Sequence, residues 1–414
     1  MADRLTVLVA ARDEERLIEA TVRALRAAFP EAEVVVADDG SCDGTAAVAE
    51  GAGARVVQLP RLGKGQALAL AEREAEPGPL LLCDADLEGD LKPLLEVDAD
   101  LTIAAFAERQ GGGFGIAKRA ARALVRALCG LDAREPLSGQ RALSPAARVA
   151  CFPTAPGFGC EVRMTIDAVR AGLGVEELEL PLSHRPGGRD AAGFVHRGRQ
   201  LVEAALACGP LASNHRGLRL PLVGALVALG GLRAPRRVAL SVAGIALVGL
   251  VDDLASGPER GFRQHFGAAR TTGVLKAVGI PVLALAATRS VSGAALVSLS
   301  ANGLNLLDTR PGRALKTFLA GAALLGGPTR AYVPVAVMLT PYDLREMTML
   351  GDAGSNALGA VLGYGSVARI TARERRFALA ALVGLTILGE ARSLGKLIER
   401  TPVLSSIDRL GRPD

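Results

Sequence analysis

Two carboxylates separated by one residue, Asp84 and Asp86, follow an apolar segment at residues 80–83. Side chains that lie just beyond a buried strand can both turn toward one cation. Carboxylate oxygens suit Mg²⁺ or Mn²⁺, which keep water ligands and take the others from substrate phosphates. Such a cation neutralises the charge that develops on a departing nucleoside diphosphate. The alternative is a pair of solvated loop acids, because the Asp-x-Asp pattern by itself is common.

Other carboxylates in the N-terminal half also follow predicted strands. Segments of strand type alternate with segments of helical type over residues 5–10, 17–29, 33–37, 43–51, 55–59, 63–74 and 80–83. This alternation predicts βαβ units with a parallel sheet, in which ligands bind at the carboxyl ends of the strands. Because three of these strands end in carboxylates, the sequence predicts a nucleotide and its metal at that edge.

The N-terminal motifs occur in a specific order, namely AARDEE at 10–15, DDGSCDGT at 38–45, GKG at 63–65 and DADLE at 84–88. This array resembles family 2 glycosyltransferases of the GT-A fold, and most of all the branch of polyprenyl-phosphate sugar synthases. The resemblance continues through residues 138–142, 157–162 and 188–197. It implies a Rossmann-like α/β domain over residues 1–205 that binds a nucleotide sugar.

The resemblance also implies roles for individual residues. By this resemblance, Asp13 and Glu14 border the nucleoside pocket, and Asp39 binds the base or ribose. Lys64 and Arg141 contact the donor phosphates, and Asp84 and Asp86 face the metal and the diphosphate. The family usually has Pro and Asn where this chain has Ala10 and Asp13, so the nucleoside contact there departs from the pattern.

Several residues of these motifs have simpler interpretations. The turn alone is enough to explain Gly40 and Gly44, and the capping of a helix is enough to explain Asp43. Glu161 can be an acidic residue in the first turn of a helix, where the helix dipole favours negative charge. These alternatives stay open at the level of the sequence.

The family resemblance implies a single displacement at the anomeric carbon with inversion. An acceptor that is already an anionic lipid phosphate needs no general base, whereas an acceptor hydroxyl needs one within hydrogen-bond reach. Glu161 and Asp190 are the candidates for that base, and the sequence does not choose between them.

The C-terminal half consists of uncharged runs at residues 220–232, 238–251, 277–288, 290–307, 317–329, 331–342, 353–368 and 377–389. Most are shorter than the roughly 20 residues of an ideal spanning helix, and each alone is compatible with a buried helix of a soluble domain. Eight in succession leave little polar surface for a soluble fold. We therefore expect an all-α polytopic transmembrane domain over residues 212–414.

Polar residues in this half form motifs of their own. Residues 249–253, 302–308 and 351–355 resemble the polyprenyl-phosphate hexosamine-1-phosphate transferases, which move a sugar-1-phosphate from a UDP-sugar to a lipid phosphate. The resemblance implies that the catalytic acids Asp252, Asp253 and Asp352 gather around Mg²⁺. It places Asn305 and Asp308 near them, and it implies that Lys276 and Lys316 neutralise phosphates.

The C-terminal half also departs from that family. A loop that carries a second acid in the family reads Asp308-Thr309-Arg310-Pro311-Gly312 here, and all four histidines precede residue 266. This half is therefore either an active enzyme of altered specificity or an inactive membrane platform that binds lipid. The first alternative makes the chain bifunctional.

The overall composition fits a membrane-associated enzyme better than a nucleic-acid-binding protein. The net charge is +5 and aromatic residues make up only 3%, so the basic stripe with stacking aromatics that nucleic acid requires is missing. Anionic lipids or phosphate-bearing substrates account for the charge. The six cysteines lie before residue 209 without a CxxC pair, which is typical of free thiols in a reducing cytoplasm.

A strand-like segment begins almost at the N-terminus, so no signal peptide is expected there. If the N-terminal domain is cytoplasmic and each apolar run crosses once, residues 252–253, 305–316 and 343–352 and the C-terminal tail all lie on the cytoplasmic side. The distribution of Lys and Arg supports this orientation only weakly. We predict a multi-pass protein of the plasma membrane that serves cell-envelope polysaccharide or glycolipid synthesis.

Overall fold

A computed structural model describes residues 4–107, 115–183, 191–214, 217–255, 269–391 and 394–412. The chain divides into two compact units, Met1–Pro221 and Leu222–Asp414. The first unit extends past the boundary expected at residues 205–212, because a short antiparallel pair at 211–213 and 219–221 belongs to it.

The first unit is built on one seven-stranded sheet with the order β3-β2-β1-β4-β6-β5-β7. Its strands are β1 (Thr6–Ala11), β2 (Glu33–Asp39), β3 (Arg55–Leu59), β4 (Leu80–Asp84), β5 (Leu101–Phe106), β6 (Arg141–Leu143) and β7 (Val175–Leu180). The first four are mutually parallel, as the sequence predicts. The sheet as a whole is mixed, because β6 inserts antiparallel between β4 and β5.

Helices cover both faces of this sheet. They are α1 (Ile18–Ala28), α2 (Thr45–Gly51), α3 (Lys64–Glu72), α4 (Ile116–Cys129), α5 (Pro145–Cys151), α6 (Cys160–Arg170) and α7 (Ala191–Ala207), and the short pair consists of β8 (Leu211–Ser213) and β9 (Arg219–Pro221). Successive residues of β1 alternate between the two cores. Val7 packs in one core with Ile18 of α1, and Leu8 packs in the other with Ala67 of α3. Burial on both faces explains why the strands read as continuous apolar runs.

The turn after β2 requires a glycine. Gly40 has a φ of +69°, and a Cβ atom there would lie 2.8 Å from the backbone nitrogen of Arg61. A side chain is therefore excluded both by backbone conformation and by space. This close approach brings the end of β2 against the loop that leads into α3, and this juxtaposition sets the geometry of the site described below.

The second unit is helical. Its helices are α8 (Arg236–Ala255), α9 (Ala269–Thr288), α10 (Val291–Leu307), α11 (Arg313–Leu325), α12 (Val333–Leu344), α13 (Gly351–Arg369), α14 (Ala372–Ala391), α15 (Leu394–Arg400) and α16 (Pro402–Arg409), with shorter 3-10 helices at Gly224–Arg233 and Gly327–Ala331. Helix α13 is central and almost wholly buried. Its Gly359 lies so close to α10 that a Cβ atom would be 2.5 Å from the carbonyl oxygen of Ser300.

Large apolar side chains are exposed mainly in the second unit. Of the exposed large hydrophobic residues among those described, four lie in the first unit and 24 in the second. By length and composition, α8 is long and apolar enough to cross a membrane, and the bent pair formed by α14 and α15 is a second candidate among the described residues. Four further apolar segments have 10 to 17 residues, namely Gly224–Arg233, Gly273–Thr288 within α9, Val291–Leu307 and Val333–Leu344. Helix length therefore does not confirm the predicted eight membrane crossings, which stay a prediction.

Candidate active site

Three charged side chains from separate elements meet beside the carboxyl edge of the first unit's sheet. Lys64 is the first residue of α3, Asp84 is the last residue of β4, and Glu161 lies in the first turn of α6. The Lys64 Nζ atom is 2.6 Å from Asp84 Oδ1 and 2.8 Å from Glu161 Oε1. The Glu161 side chain is only 6% exposed, whereas that of Asp84 is 31% exposed. The Lys64 ammonium group thus joins the buried carboxylate of Glu161 to the Asp84 carboxylate, which reaches the surface.

The charge of Lys64 is firmly held in this cluster. Burial by itself lowers the pKa of the ammonium group, but the carboxylates of Asp84 and Glu161 outweigh it and raise the pKa well above its ordinary value. The neighbouring thiol of Cys160 donates to Glu161 Oε2 at 3.0 Å, and burial raises the pKa of that thiol. Lys64 is therefore cationic and Cys160 a neutral thiol at physiological pH.

Gln140 contributes a contact to which sequence analysis assigned no role. Its Nε2 atom donates to Asp84 Oδ2 at 3.0 Å, and the residue is only 1% exposed. Both oxygens of Asp84 are thus oriented, one by Lys64 and one by Gln140. The only sequence signal for this contact is that Gln140 directly precedes β6, the strand that pairs with β4.

Gly139 leaves room for the Asp84–Lys64 contact. A Cβ atom at this position would lie 2.5 Å and 2.7 Å from the two Asp84 oxygens and 2.7 Å from Lys64 Nζ. We expect Gly139→Ala to displace these side chains and to lower any activity of this site by at least about tenfold, since small displacements of reacting groups are costly. Gly51→Ala is the matched control, because a Cβ atom at Gly51 meets nothing within 4 Å. Equal activity of the two variants, measured as initial rates, would contradict this role of Gly139.

Asp39 lies at the end of β2 and is 5% exposed. Its Oδ1 atom accepts hydrogen bonds from the backbone N–H groups of Leu62 at 2.7 Å and Gly63 at 2.8 Å. Burial raises the pKa of this carboxyl group, although these two hydrogen bonds act in the opposite direction. The contacts show that Asp39 fixes the loop from which Lys64 projects. Contact with a base or ribose remains a prediction.

The first acidic motif is joined to the turn after β2 by hydrogen bonds. Asp13 has a φ of +54°, and its Oδ1 atom accepts from the backbone N–H of Cys42 at 2.8 Å. The backbone N–H of Glu14 donates to Thr45 Oγ1 at 2.8 Å, and the Glu14 carbonyl oxygen accepts from the first residues of α1. Asp13 and Glu14 therefore border the same edge as Asp39, where the sequence places the nucleoside pocket, and Asp13 also holds the two loops together.

Asp86 is half-buried, and its carboxylate makes no hydrogen bond or ion pair with any residue that the structure describes. The loop that carries it is fixed from beneath, because Thr21 Oγ1 of α1 donates to the carbonyl oxygen of Ala85 at 2.7 Å. The described residues contain no group of three or more His, Cys, Asp or Glu that could hold a metal on its own. One or two carboxylates plus substrate phosphates nevertheless suffice for Mg²⁺. The pair Asp84 and Asp86 fits that requirement.

Arg141 does not occupy the position that the sequence predicts for a phosphate contact. The residue is 0% exposed, and its guanidinium donates to the carbonyl oxygens of Ser138 and Pro136 and to Thr165 Oγ1. Burial lowers the pKa of this guanidinium. Its donors are directed into the protein, so Arg141 supports the segment that carries Gly139 and Gln140 instead of meeting a ligand.

Of the two candidates for a general base, the structure describes only Glu161. Both oxygens of Glu161 are engaged, one by Lys64 and one by Cys160. These contacts favour a positioning role for Glu161 in this arrangement. Asp190 lies outside the described residues.

In the second unit the structure brings together three of the predicted residues. Asp252 near the end of α8 and Asp352 at the start of α13 both form ion pairs with Lys276 of α9, and the Asp252 contact is 2.5 Å long. Asp253 has a different role. Its two oxygens accept from the backbone N–H groups of Asp352 and Ala353 at 3.0 Å each, so it caps α13.

The remaining predicted residues of this unit lie in different surroundings. Asn305 Oδ1 accepts from Ser355 Oγ at 2.7 Å, which joins the end of α10 to the first turn of α13 near Asp352. Asp308 ends α10. Lys316 does not reach the cluster as a phosphate ligand would, because its Nζ atom caps the end of α16 through the carbonyl oxygens of Ile407, Asp408 and Leu410.

Known proteins similar to this chain match its first unit. Residues 6–109 match the profile of glycosyl transferase family 2. Glycosyltransferase AglJ of Haloferax volcanii is 32% identical over 174 residues, which is 38% of this chain and 56% of that relative. The chain thus spans little more than half the length of this relative. The α/β fold that the motifs predict for the N-terminal half is confirmed by its sheet, and residues 6–109 of it resemble glycosyl transferase family 2.

Similar solved structures include glucosyl-3-phosphoglycerate synthase from Mycobacterium tuberculosis in complex with Mn²⁺, uridine diphosphate and phosphoglyceric acid. That structure shares 28% sequence identity, covers 50% of this chain and 79% of its own, and has a TM-score of 0.42. The structure of the same enzyme with Mn²⁺, UDP-glucose and phosphoglyceric acid shares 26% sequence identity, covers 50% of this chain and 83% of its own, and has a TM-score of 0.41.

Proposed function

We propose, starting from the glycosyl transferase family 2 domain at residues 6–109, that the first unit transfers a sugar from a nucleoside diphosphate sugar to a lipid-linked acceptor. The observation that carries the proposal is the meeting of Lys64, Asp84 and Glu161 beside Asp39 and Asp86 at one edge of the sheet. An edge of this kind, at the carboxyl ends of parallel strands, is where α/β folds bind nucleotides. Its mixture of one cation and several acids suits a diphosphate accompanied by a divalent cation.

The proposed roles follow from the surroundings of each residue. Asp39 holds the loop at Leu62 and Gly63, so it fixes the direction from which Lys64 approaches the donor phosphates. Asp86 has an unengaged carboxylate beside Asp84, and these two would hold Mg²⁺ or Mn²⁺. When bound, the cation supplies a Lewis acid for the departing diphosphate. Gln140 keeps Asp84 in the orientation that this requires.

Donor binding would redistribute the contacts of Lys64. In the structure its charge is shared between Asp84 and Glu161. A diphosphate offers the ammonium group charge-assisted hydrogen bonds that replace the one to Asp84, and Asp84 then becomes available to a cation. Glu161 keeps Lys64 in place throughout, because its own second oxygen is engaged by Cys160. The nucleophile attacks the anomeric carbon from the face opposite the diphosphate, and the bond to the diphosphate oxygen breaks.

We further propose that the second unit is embedded in the plasma membrane with the first unit in the cytoplasm. Support comes from helix α8, which is long and apolar enough to span, and from the 24 large apolar side chains that the second unit exposes. Exposed apolar area on this scale is unusual for a protein surface in water. A membrane location would bring a polyprenyl-phosphate or other lipid-linked acceptor to the enzyme.

The proposal is tested with vesicles that contain the full chain, polyprenyl phosphate and a panel of radiolabelled nucleoside diphosphate sugars. We expect label from one donor to enter the lipid extract, and we expect chelation of divalent cations to stop the transfer and added Mg²⁺ or Mn²⁺ to restore it. If no donor gives labelled lipid, the lipid acceptor is wrong. Transfer that is insensitive to chelation would exclude the proposed cation.

A second candidate function is supported by the cluster of Asp252, Lys276 and Asp352 in the second unit. We propose as the alternative that this unit transfers a sugar-1-phosphate to polyprenyl phosphate. The lipid phosphate oxygen attacks the β-phosphorus of a UDP-sugar, the bond to the bridging oxygen breaks, and UMP leaves. The proposed cation is again Mg²⁺ or Mn²⁺, with Asp252 and Asp352 as its ligands.

The identity of the first product separates the two candidates. Under the second candidate function, Asp352→Asn abolishes the formation of a lipid diphosphate sugar and the release of UMP and leaves transfer by the first unit intact. The matched control is Glu374→Gln, because Glu374 is an acid of the same unit that accepts from the backbone N–H of Thr371 at 2.7 Å, beyond the end of α13 that lies far from Asp352. If neither product depends on Asp352, the second unit is an inactive platform.

A further inference from the structure

Helix α16 at the C-terminus has two sides of opposite character. Its inner side is fixed by Asp408, which is 6% exposed and forms two hydrogen bonds of 2.8 Å with the guanidinium of Arg313 in α11. Arg412 adds a further pair of bonds to the same carboxylate. Lys316 of α11 caps the carbonyl oxygens at the end of the helix. These contacts hold α16 against the start of α11 in one orientation.

The outer side of α16 is apolar. Its four large side chains are exposed by 69%, 46%, 56% and 71%, and they are Val403, Leu404, Ile407 and Leu410. The spacing i, i+1 and i+4 places the first three on one face of the helix, and Leu410 caps its end. We define these four residues as the outer face. No part of the chain that the structure describes covers it, and the ion pairs of Asp408 fix the rotation of the helix.

The charges around the outer face are mainly positive. Arg400 and Arg409 are exposed and make no ion pair within the described ranges. The nearby acids are already neutralised, Glu399 by Arg310 and Asp408 by Arg313. A partner for this region must therefore combine an apolar layer with negative charge at its edge. A membrane surface that contains anionic phospholipids has this combination.

The position of α16 in the second unit agrees with such a partner. Arg412 binds the carbonyl oxygen of Pro311 at 2.8 Å, which places α16 where α10 ends and α11 begins. The end of α10 also contacts the start of α13 through Asn305 and Ser355. Helix α16 therefore lies at the same end of the bundle as the charged cluster around Asp352. At that end a bundle that crosses a bilayer meets the head groups.

We infer that α16 is an interfacial helix that lies in the plane of the membrane, with the outer face inserted among the acyl chains and Arg400 and Arg409 at anionic head groups. The inference rests on the proposed membrane location of the second unit. It adds a specific lipid contact that the spanning helices do not require. The buried Arg313–Asp408 pair sets the depth and rotation of the helix.

The absence of tryptophan from the chain provides a direct test. Each Trp substitution introduces the sole Trp of the protein, so its fluorescence reports one position. We would reconstitute the full chain in vesicles of phosphatidylcholine and phosphatidylglycerol that carry bromine high on the acyl chains. Leu404→Trp is expected to emit at short wavelength and to be quenched at least about twofold more strongly than Ser405→Trp, because Ser405 lies roughly 100° beyond the edge of the outer face.

A third reporter separates this inference from the proposed membrane location. Leu247 lies within α8 and is 61% exposed, so Leu247→Trp is expected to be quenched by bromine near the ends of the acyl chains. Quenching at Leu247→Trp without quenching at Leu404→Trp overturns the interfacial helix and leaves the spanning unit in place. Loss of quenching at both positions overturns the membrane location itself.

Two further outcomes are informative. Short-wavelength emission of Leu404→Trp without quenching by brominated lipid means that protein covers the outer face, as in contact with a second copy, and overturns the inference. The double charge reversal Arg400→Glu and Arg409→Glu is expected to lower the quenching of Leu404→Trp toward that of Ser405→Trp. Unchanged quenching would overturn the role of anionic lipid.

Discussion

Replacing Asp86 with Asn is expected to lower sugar transfer by about 100-fold or more, which is the typical cost of one lost electrostatic contact to a developing charge. The substitution keeps the shape of the side chain and removes the negative charge that would attract a divalent cation. The fold should be unaffected, because the Asp86 carboxylate makes no hydrogen bond or ion pair in the described part of the chain. The measurement is the initial rate of label transfer as a function of Mn²⁺ concentration.

The matched control for this variant is Asp98→Asn. Asp98 is an exposed acid without a side-chain hydrogen bond among the described residues, and it lies only a short distance further along the chain. It undergoes the same chemical change at a position away from the proposed site. If Asp86→Asn retains the rate and the cation dependence of the control, Asp86 holds no cation and the proposed mechanism is wrong.

The largest expected change in stability comes from replacing Lys64 with Met. Met keeps much of the apolar stem but leaves the carboxylates of Asp84 and Glu161 without their common cation. Glu161 is 4% exposed, so its charge cannot be solvated in compensation. Removing one partner from a buried ion pair typically costs about 3 kcal/mol or more. For a unit of this size that loss corresponds to a decrease in Tm of about 6 °C or more.

The stability prediction has an internal check. Thermal unfolding of the full chain should show the loss for Lys64→Met and almost none for Lys92→Met, since Lys92 is an exposed lysine of the same unit. Adding Glu161→Gln to Lys64→Met should recover part of the lost stability, because the buried charge is then removed. Additive losses in the double variant would mean that Lys64 and Glu161 do not interact in the folded protein.

Much of the first unit could be predicted from its sequence because its signals are local. Strand β3 was expected at residues 55–59 and is observed at Arg55–Leu59. Apolar runs bounded by Gly and Asp indicate strands that are buried on both faces, and the turn residues mark where they end. The antiparallel strand β6 was missed. It has only three residues, and its direction depends on partners far away in the chain.

The predicted roles of charged residues were less secure because a side chain's partners are set by packing. Arg141 looks like a phosphate ligand in the sequence, but the fold surrounds it with carbonyl oxygens. Lys316 likewise looks like a phosphate ligand, but it caps a helix almost a hundred residues later. In both cases the residue type indicates only that an electronegative partner is required. The tertiary structure decides whether that partner is a ligand or the protein's own backbone.

The sequence by itself determined the order of the first four strands and the first three helices, the acids at the ends of those strands and the apolar character of the second half. These features depend on residues that are neighbours in the chain. Only the tertiary structure decided that Lys64 lies between Asp84 and Glu161, that Asp253 caps α13 and that Asp408 holds α16 with its apolar side outward. Such contacts join positions that are 20 to 99 residues apart, and it is the packing of the elements between them that sets their distance.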